Sequence, residues 1–261
     1  MKTKIKIQHV LAVLAFLSLL TCCAPCYYAP NAQNVPVFSG KGQGNGTFSF
    51  QFGPLSTGWN VQGALALSNH IGIMGNYNHY SGRESSGTWD GEDYSTKFKS
   101  NMGEIGLGYF YPFEGKFVVE AYGGVGGSRI NTDYERWDGD GSSSIGTTSF
   151  FIQPSMGYYR KHIRLAFSTR FRLLNFRDVK YQTGLGSDTL ESLDYMENMS
   201  VQGFFEPAFT FRAGGEKVKF QAQVGWSIIM SQSYAIEYDP MNINFGVVFC
   251  LPGKKKSEAV Q

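Results

Sequence analysis

Three observations predict an all-β fold, a transmembrane antiparallel up-and-down β-barrel of about ten strands: a two-residue rhythm of apolar and polar side chains, an N-terminal leader, and connections of two alternating lengths. The rhythm is plainest where Phe48, Phe50 and Phe52 alternate with Thr47, Ser49 and Gln51. It recurs near 45–53, 57–68, 70–81, 97–111, 116–129, 147–160, 162–176, 201–213, 217–231 and 240–250. Each segment reaches or exceeds the roughly 9–11 residues that a tilted strand needs to cross a bilayer. One parity is bulky and the other small or polar: Trp59, Val61, Leu65 and Leu67 against Asn60, Gln62, Ala64 and Ala66. Val218, Phe220, Val224 and Trp226 stand likewise against Lys219, Gln221, Gln223 and Gly225. About ten strands of Phe, Trp, Leu and Ile would overfill a narrow lumen, whereas Gly, Ala, Ser and Gln fit it. Trp59, Leu65, Ile105, Phe167 and Phe220 are therefore expected to face outward, into lipid.

The leader comes first in the chain. Lys2, Lys4 and Lys6 precede an apolar run from Val10 to Leu20, the pattern of a signal peptide over residues 1–21. Beyond it no apolar run reaches about 18 residues, so no transmembrane helix is expected. Cys22 and Cys23 stand at the end of the leader and are the two candidate acylation sites. Cys250 lies alone at the far end, so no disulfide framework is readable. Residues 22–44, rich in Pro, Gly and Asn, are expected to form a tether; 45–250 form the barrel, and 251–261 a basic periplasmic tail.

The connections complete the pattern. Ser68–His70, Pro112–Gly115, Lys161–His162 and Ala213–Glu216 are short. Gly82–Thr96, Ile130–Gly146 and Arg177–Ser200 are long, polar and largely acidic. Short periplasmic turns and long outer loops are the rule for such barrels, and an even strand count returns the chain to its starting side. Both termini are accordingly expected in the periplasm. The formal net charge of +2 offers no electrostatic footprint for nucleic acid.

Charges of both signs fall on the inward parity: Glu104, Glu120 and Glu206, with Arg164, Arg170, Arg172 and Arg212. Charges in a narrow lumen must pair or meet water. They are expected to form either a salt-bridged plug or a selectivity constriction. In the outer loops, Asp138, Asp140, Ser142 and Ser144 alternate like the start of a calcium loop. Gly at the sixth position and Glu at the twelfth are missing, which excludes an EF-hand. His79 and Ser81, two residues apart, could let an imidazole activate a hydroxyl, with Glu92 or Asp93 as orienting acid.

Leu19-Leu20-Thr21-Cys22 resembles a bacterial lipobox, and the strand pattern resembles the OmpA/OmpX-like small outer-membrane barrels. Cys26 to Pro36 resembles the tether of a group of uncharacterised acylated outer-membrane barrels of Gram-negative bacteria. The resemblance implies no catalytic residues, metal or cofactor. The expected role is a non-enzymatic lipoprotein that acts through acidic outer loops. A narrow solute pore is the alternative, and a lipid-modifying enzyme a third reading. The expected partners are outer-membrane lipid and, at the outer loops, divalent cations or surface ligands, around a monomeric barrel.

Overall fold

The computed structural model describes residues 26–87, 93–113, 116–135, 140–182, 185, 187–198, 201–230 and 236–253. Cys22, Cys23 and the Lys254–Lys256 run lie outside the described residues, as do Asp138 and Glu92. The strands are β1 (Gly44–Phe52), β2 (Thr57–Ala66), β3 (Ile71–Gly87), β4 (Asp93–Phe113), β5 (Phe117–Glu135), β6 (Gly141–Tyr159), β7 (Ile163–Tyr181), β8 (Gln202–Gly214), β9 (Val218–Trp226), β10 (Ile228–Ile229) and β11 (Met241–Leu251). Each pairs antiparallel with its neighbour, and β11 pairs with both β9 and β1, which closes the sheet. The two-residue β10 resumes the path of β9 after Ser227 and, like β9, pairs with β8. The result is a closed, ten-stranded, antiparallel up-and-down barrel, with its ninth strand interrupted once.

The alternation settles which face is which. Ile105 and Leu107 are 67% and 58% exposed, while Glu104 beside them is 4% exposed. Leu65, Phe167 and Phe220 are likewise exposed, and Trp59 lies on the same outer surface, packed between Phe48, Tyr77 and His79. A surface this apolar over a whole barrel calls for lipid around it. Leu107→Arg is therefore expected to cost roughly 2–4 kcal/mol if that position lies near the bilayer midplane. Urea titration of the barrel folded into vesicles measures this, and an unchanged midpoint would argue against a lipid-facing exterior.

The two rims differ. At one, the connections between β2 and β3 and between β6 and β7 are short turns closed by Leu67 N–H to Ile71 O and Arg160 N–H to Ile163 O. At the other, the paired strands run on: β3 and β4 stay in register out to Gly87 and Asp93, and β5 and β6 out to Tyr134 and Gly141. Much of what reads as loop in the sequence is thus strand. Ser, Thr and Gly carry no apolar rhythm there because no lipid faces them, yet the backbone still pairs. The connection after β7 contains a helix, α1 (Ser187–Asn198), absent from the sequence reading. Its buried Leu193 and Met196, with Leu190 beside them, pack over Tyr27, Ile145, Leu174, Phe176 and Phe204 at the long-loop mouth.

The largest departure concerns the expected tether. Residues Cys26 to Phe38 are all buried, and they run down the inside of the barrel. Tyr28 makes an isolated bridge with Tyr238 at the long-loop rim. Phe38 packs on Phe110 near the short-turn rim, and β1 then starts at Gly44, opposite Leu251. The first and last described residues therefore sit at opposite rims. The expectation that both ends of the chain emerge on one side is not met by the described residues, because the lumen takes the N-terminal segment in one more crossing.

Candidate functional site

The lumen with its inserted segment is the candidate site. An extended chain inside a barrel brings peptide N–H and C=O groups that must be satisfied. Inward amide side chains, which both donate and accept, do this. Gln51 and Asn242 donate to the Pro30 carbonyl at 2.9 and 3.0 Å. Gln62 donates to Ala32 O at 2.7 Å, Gln153 to Asn34 O at 2.8 Å, and Asn45 to Pro36 O at 3.2 Å. Gln223 does both for Gln33, accepting from its N–H at 2.7 Å and donating to its carbonyl at 2.8 Å. Pro30 and Pro36 have no N–H to satisfy, which suits a segment with neighbours on every side.

Four of the seven inward charges meet at mid-segment. Arg172 Nη2 lies 2.6 Å from Glu104 Oε1 and its Nε 3.5 Å from Glu206 Oε2. Arg170 Nη1 lies 3.5 Å from Glu104 Oε2. Asn31, on the inserted segment, sits between them: it donates to Glu104 at 2.7 Å and accepts from Arg170 and Arg172 at 2.7 and 3.1 Å. Tyr28 donates its hydroxyl to Glu206. Arg170 also grips Gln153 Oε1 with two nitrogens, at 3.0 and 2.7 Å, and lies over the Phe151 ring. Two carboxylates thus face two guanidiniums, and Asn31 and Tyr28 of the segment, with Asn76, Gln153 and Ser149 of the wall, supply further hydrogen bonds to the cluster.

The other three charges do not join this cluster. Glu120 accepts from two successive backbone N–H groups, Val37 at 3.1 Å and Phe38 at 2.9 Å. Val37 has φ of 56°, unusual for a β-branched residue, and the carboxylate holds the turn that presents both donors. Arg212 donates Nε to Gln221 at 2.7 Å, and neither it nor Arg164 has a carboxylate within ion-pair distance among the described residues.

The wall is also cut to the segment. A Cβ on Gly157 would meet Val37 Cγ1 at 2.9 Å, and one on Gly72 would come within 3.3 Å of the Phe38 ring. Gly72, Gly157 and Gln153 line the segment's path and are not singled out by the sequence, whereas Gln51, Gln62 and Gln223 read there only as inward-facing. The usable signal was the number of amides on the inward parity.

At the long-loop rim, Asp239 closes the mouth. It accepts from Ser56 Oγ at 2.5 Å and from Leu55 N–H at 3.2 Å, and its own N–H donates to Tyr28 O at 2.8 Å. Burial pushes its carboxyl up to about 6, against the lowering effect of the Ser56 and Leu55 donors. The folded barrel then holds a proton that an unfolded chain has released. The resulting stability is present below about pH 4 and is lost as pH rises through about 6. Asp239→Asn is expected to flatten that slope, as read from unfolding midpoints between about pH 4 and pH 7. An identical slope in the variant would assign the effect elsewhere.

His79 Nδ1 bonds Asn101 Oδ1 at 2.9 Å, and its ring packs on Trp59. Among the described residues, no group of three or more His, Cys, Asp or Glu side chains is placed to hold a metal.

No family model and no curated protein matches the chain. Solved structures similar to the chain include outer-membrane proteins. The outer membrane protease OmpT of Escherichia coli is 10% identical, with a TM-score of 0.44, over 81% of this chain and 94% of that one. The translocator domain of the autotransporter NalP of Neisseria meningitidis is 9% identical, with a TM-score of 0.43, over 80% and 86%. The KdgM porin is 11% identical, with a TM-score of 0.31, over 78% and 98%. Likenesses this distant carry no argument about activity. The class is defined by the molecule itself: a closed ten-stranded barrel with an apolar exterior and a lumen occupied by its own N-terminal segment.

Proposed function

We propose that the protein is a non-enzymatic outer-membrane lipoprotein whose barrel is shut by its own N-terminal segment and whose work is done by contacts at the long-loop face. The observation that carries this reading is the unbroken burial of residues 26–38 inside the barrel. A lumen filled by backbone, with Glu104, Glu206, Arg170 and Arg172 clustered against that backbone, disfavours the solute pore. The His79 and Ser81 geometry lends no support to the lipid-modifying reading.

Long connections face the exterior in barrels of this kind. On that orientation Cys26 emerges at the cell surface and the C-terminal end of β11 faces the periplasm. Cys22 is four residues before Cys26, within about 14 Å of extended chain. Acyl chains on Cys22 or Cys23 would then enter the outer leaflet beside the long hairpins, and the barrel would anchor a lipidated terminus on the outside. This replaces the expectation of a periplasmic N-terminus.

The test is an epitope placed between Cys23 and Cys26, compared with one after Gln261, on intact and permeabilised cells. Antibody should reach the first on intact cells and the second only after permeabilisation. Replacing both Cys22 and Cys23 by Ser should abolish labelling by a clickable fatty acid while the barrel still inserts. Protection of the N-terminal epitope on intact cells would overturn the orientation.

A further inference from the structure

The charge balance of the lumen is uneven along its axis. At mid-segment Glu104 and Glu206 match Arg170 and Arg172. Toward the short-turn rim Arg164, Arg212 and Lys219 share one neighbourhood on β7, β8 and β9. Arg164 is the register partner of Arg212, Arg212 of Gln221, and Lys219 of Gly214 one step nearer the rim. The Lys219 ammonium is bound by two turn carbonyls, of Lys161 and Gly215, both at 2.7 Å. Arg212 is 1% exposed, yet both terminal nitrogens of its guanidinium lack a partner among the described residues, as does the buried Nε of Arg164.

The acids nearby are committed elsewhere. Glu120 is held by Val37 and Phe38 N–H and by Ser155, and Glu216 pairs with Lys161 at 3.1 Å. Arg164 and Lys219 line a cup of about 1270 Å³ that also includes Lys41, Arg160, Tyr159 and the lysine-paired Glu216; Arg212 lies outside its lining. Two adjacent guanidiniums with no carboxylate partner are costly unless an anion offsets their charge.

We propose that this cup is an anion site, in which a tetrahedral oxyanion of the phosphate class is held by the Arg164 guanidinium, with Lys219 on the same wall and the charge of the neighbouring Arg212 adding to the attractive field. A planar fork of N–H donors suits phosphate oxygens and binds them through paired, charge-assisted hydrogen bonds. The phosphate could be free in solution or belong to a phospholipid headgroup at the rim.

Two measurements on the full-length protein in non-ionic detergent separate the sources. Isothermal titration with inorganic phosphate at low salt should give saturable binding, weakened roughly ten- to hundredfold by Arg164→Gln, the loss of charged hydrogen bonds. Arg83→Gln, at the other rim, should bind as the wild type does. If phosphate gives no heat but native mass spectrometry finds phosphatidylglycerol retained by the wild type and lost from Arg164→Gln, the headgroup is the ligand. Arg164 is half-buried, so its replacement should fold; Arg164→Lys, which keeps the charge but loses the fork, provides a second variant. Absence of both phosphate and phospholipid binding, or binding that neither variant weakens, would overturn the site.

Discussion

Deletion of Tyr27–Phe38 is expected to convert a silent barrel into a conducting one. In the intact protein this segment occupies the lumen from the Tyr238 bridge to the Phe110 contact, and inward amides close on its backbone from several walls. Without it, Gln51, Gln62, Gln153, Gln223 and Asn242 lose their partners and must be hydrated. Water then enters, and a continuous path forms past Gly72 and Gly157, where the wall leaves room for Val37 and Phe38. Planar-bilayer recording should show no stable conductance for the wild type and long-lived openings for the deletion. Steady wild-type conductance would restore the pore as the better reading.

Glu104→Ala is expected to be the most destabilising single substitution in the lumen. Glu104 faces both Arg170 and Arg172 and also accepts from Asn31 and Asn76, at 2.7 and 3.1 Å. Its removal leaves Glu206 as the one acid of the cluster and an uncompensated buried cation. Breaking a buried pair in this way costs roughly 3–5 kcal/mol. Removing Arg170 as well should recover part of that loss, since the two changes share one interaction. Urea unfolding of the two single variants and the double variant gives the coupling. Additive losses would mean that the pair acts independently.

The strands were legible because lipid on one face and lumen on the other impose a period of two, as in Phe48–Phe52 and Ile243–Phe249, and the bulk of the apolar parity showed which face is outward. The rhythm fades where β3 to β7 extend beyond the apolar band, so those ends read as loop. Helix α1 was hidden by its composition: Leu190, Leu193 and Met196 are spaced for a helix, but acidic residues surround them and the segment is short. The seven lumen charges were legible as inward-facing. Their division into a balanced cluster and an unbalanced rim was not, because it depends on the inserted segment. That segment has the Pro, Asn and Gln content of a linker. Its burial comes from the barrel built after it, through side chains such as Gln153 and Glu206, which bond Asn34 O and the Tyr28 hydroxyl from more than a hundred positions away.

The central claim is that the N-terminal segment runs through the lumen from the long-loop rim to the short-turn rim. Photo-crosslinking tests occupancy and direction together. A photoreactive phenylalanine at Tyr28 should link to peptides containing Phe204 or Tyr238, the ring and backbone neighbours at the long-loop rim. The same probe at Phe38 should link to peptides containing Phe110 or Gly72, at the short-turn rim. Both products should be intramolecular and should form in the assembled protein in intact cells, as mapped by mass spectrometry. Links from both positions to a single rim, or no intramolecular links at all, would contradict the threaded barrel.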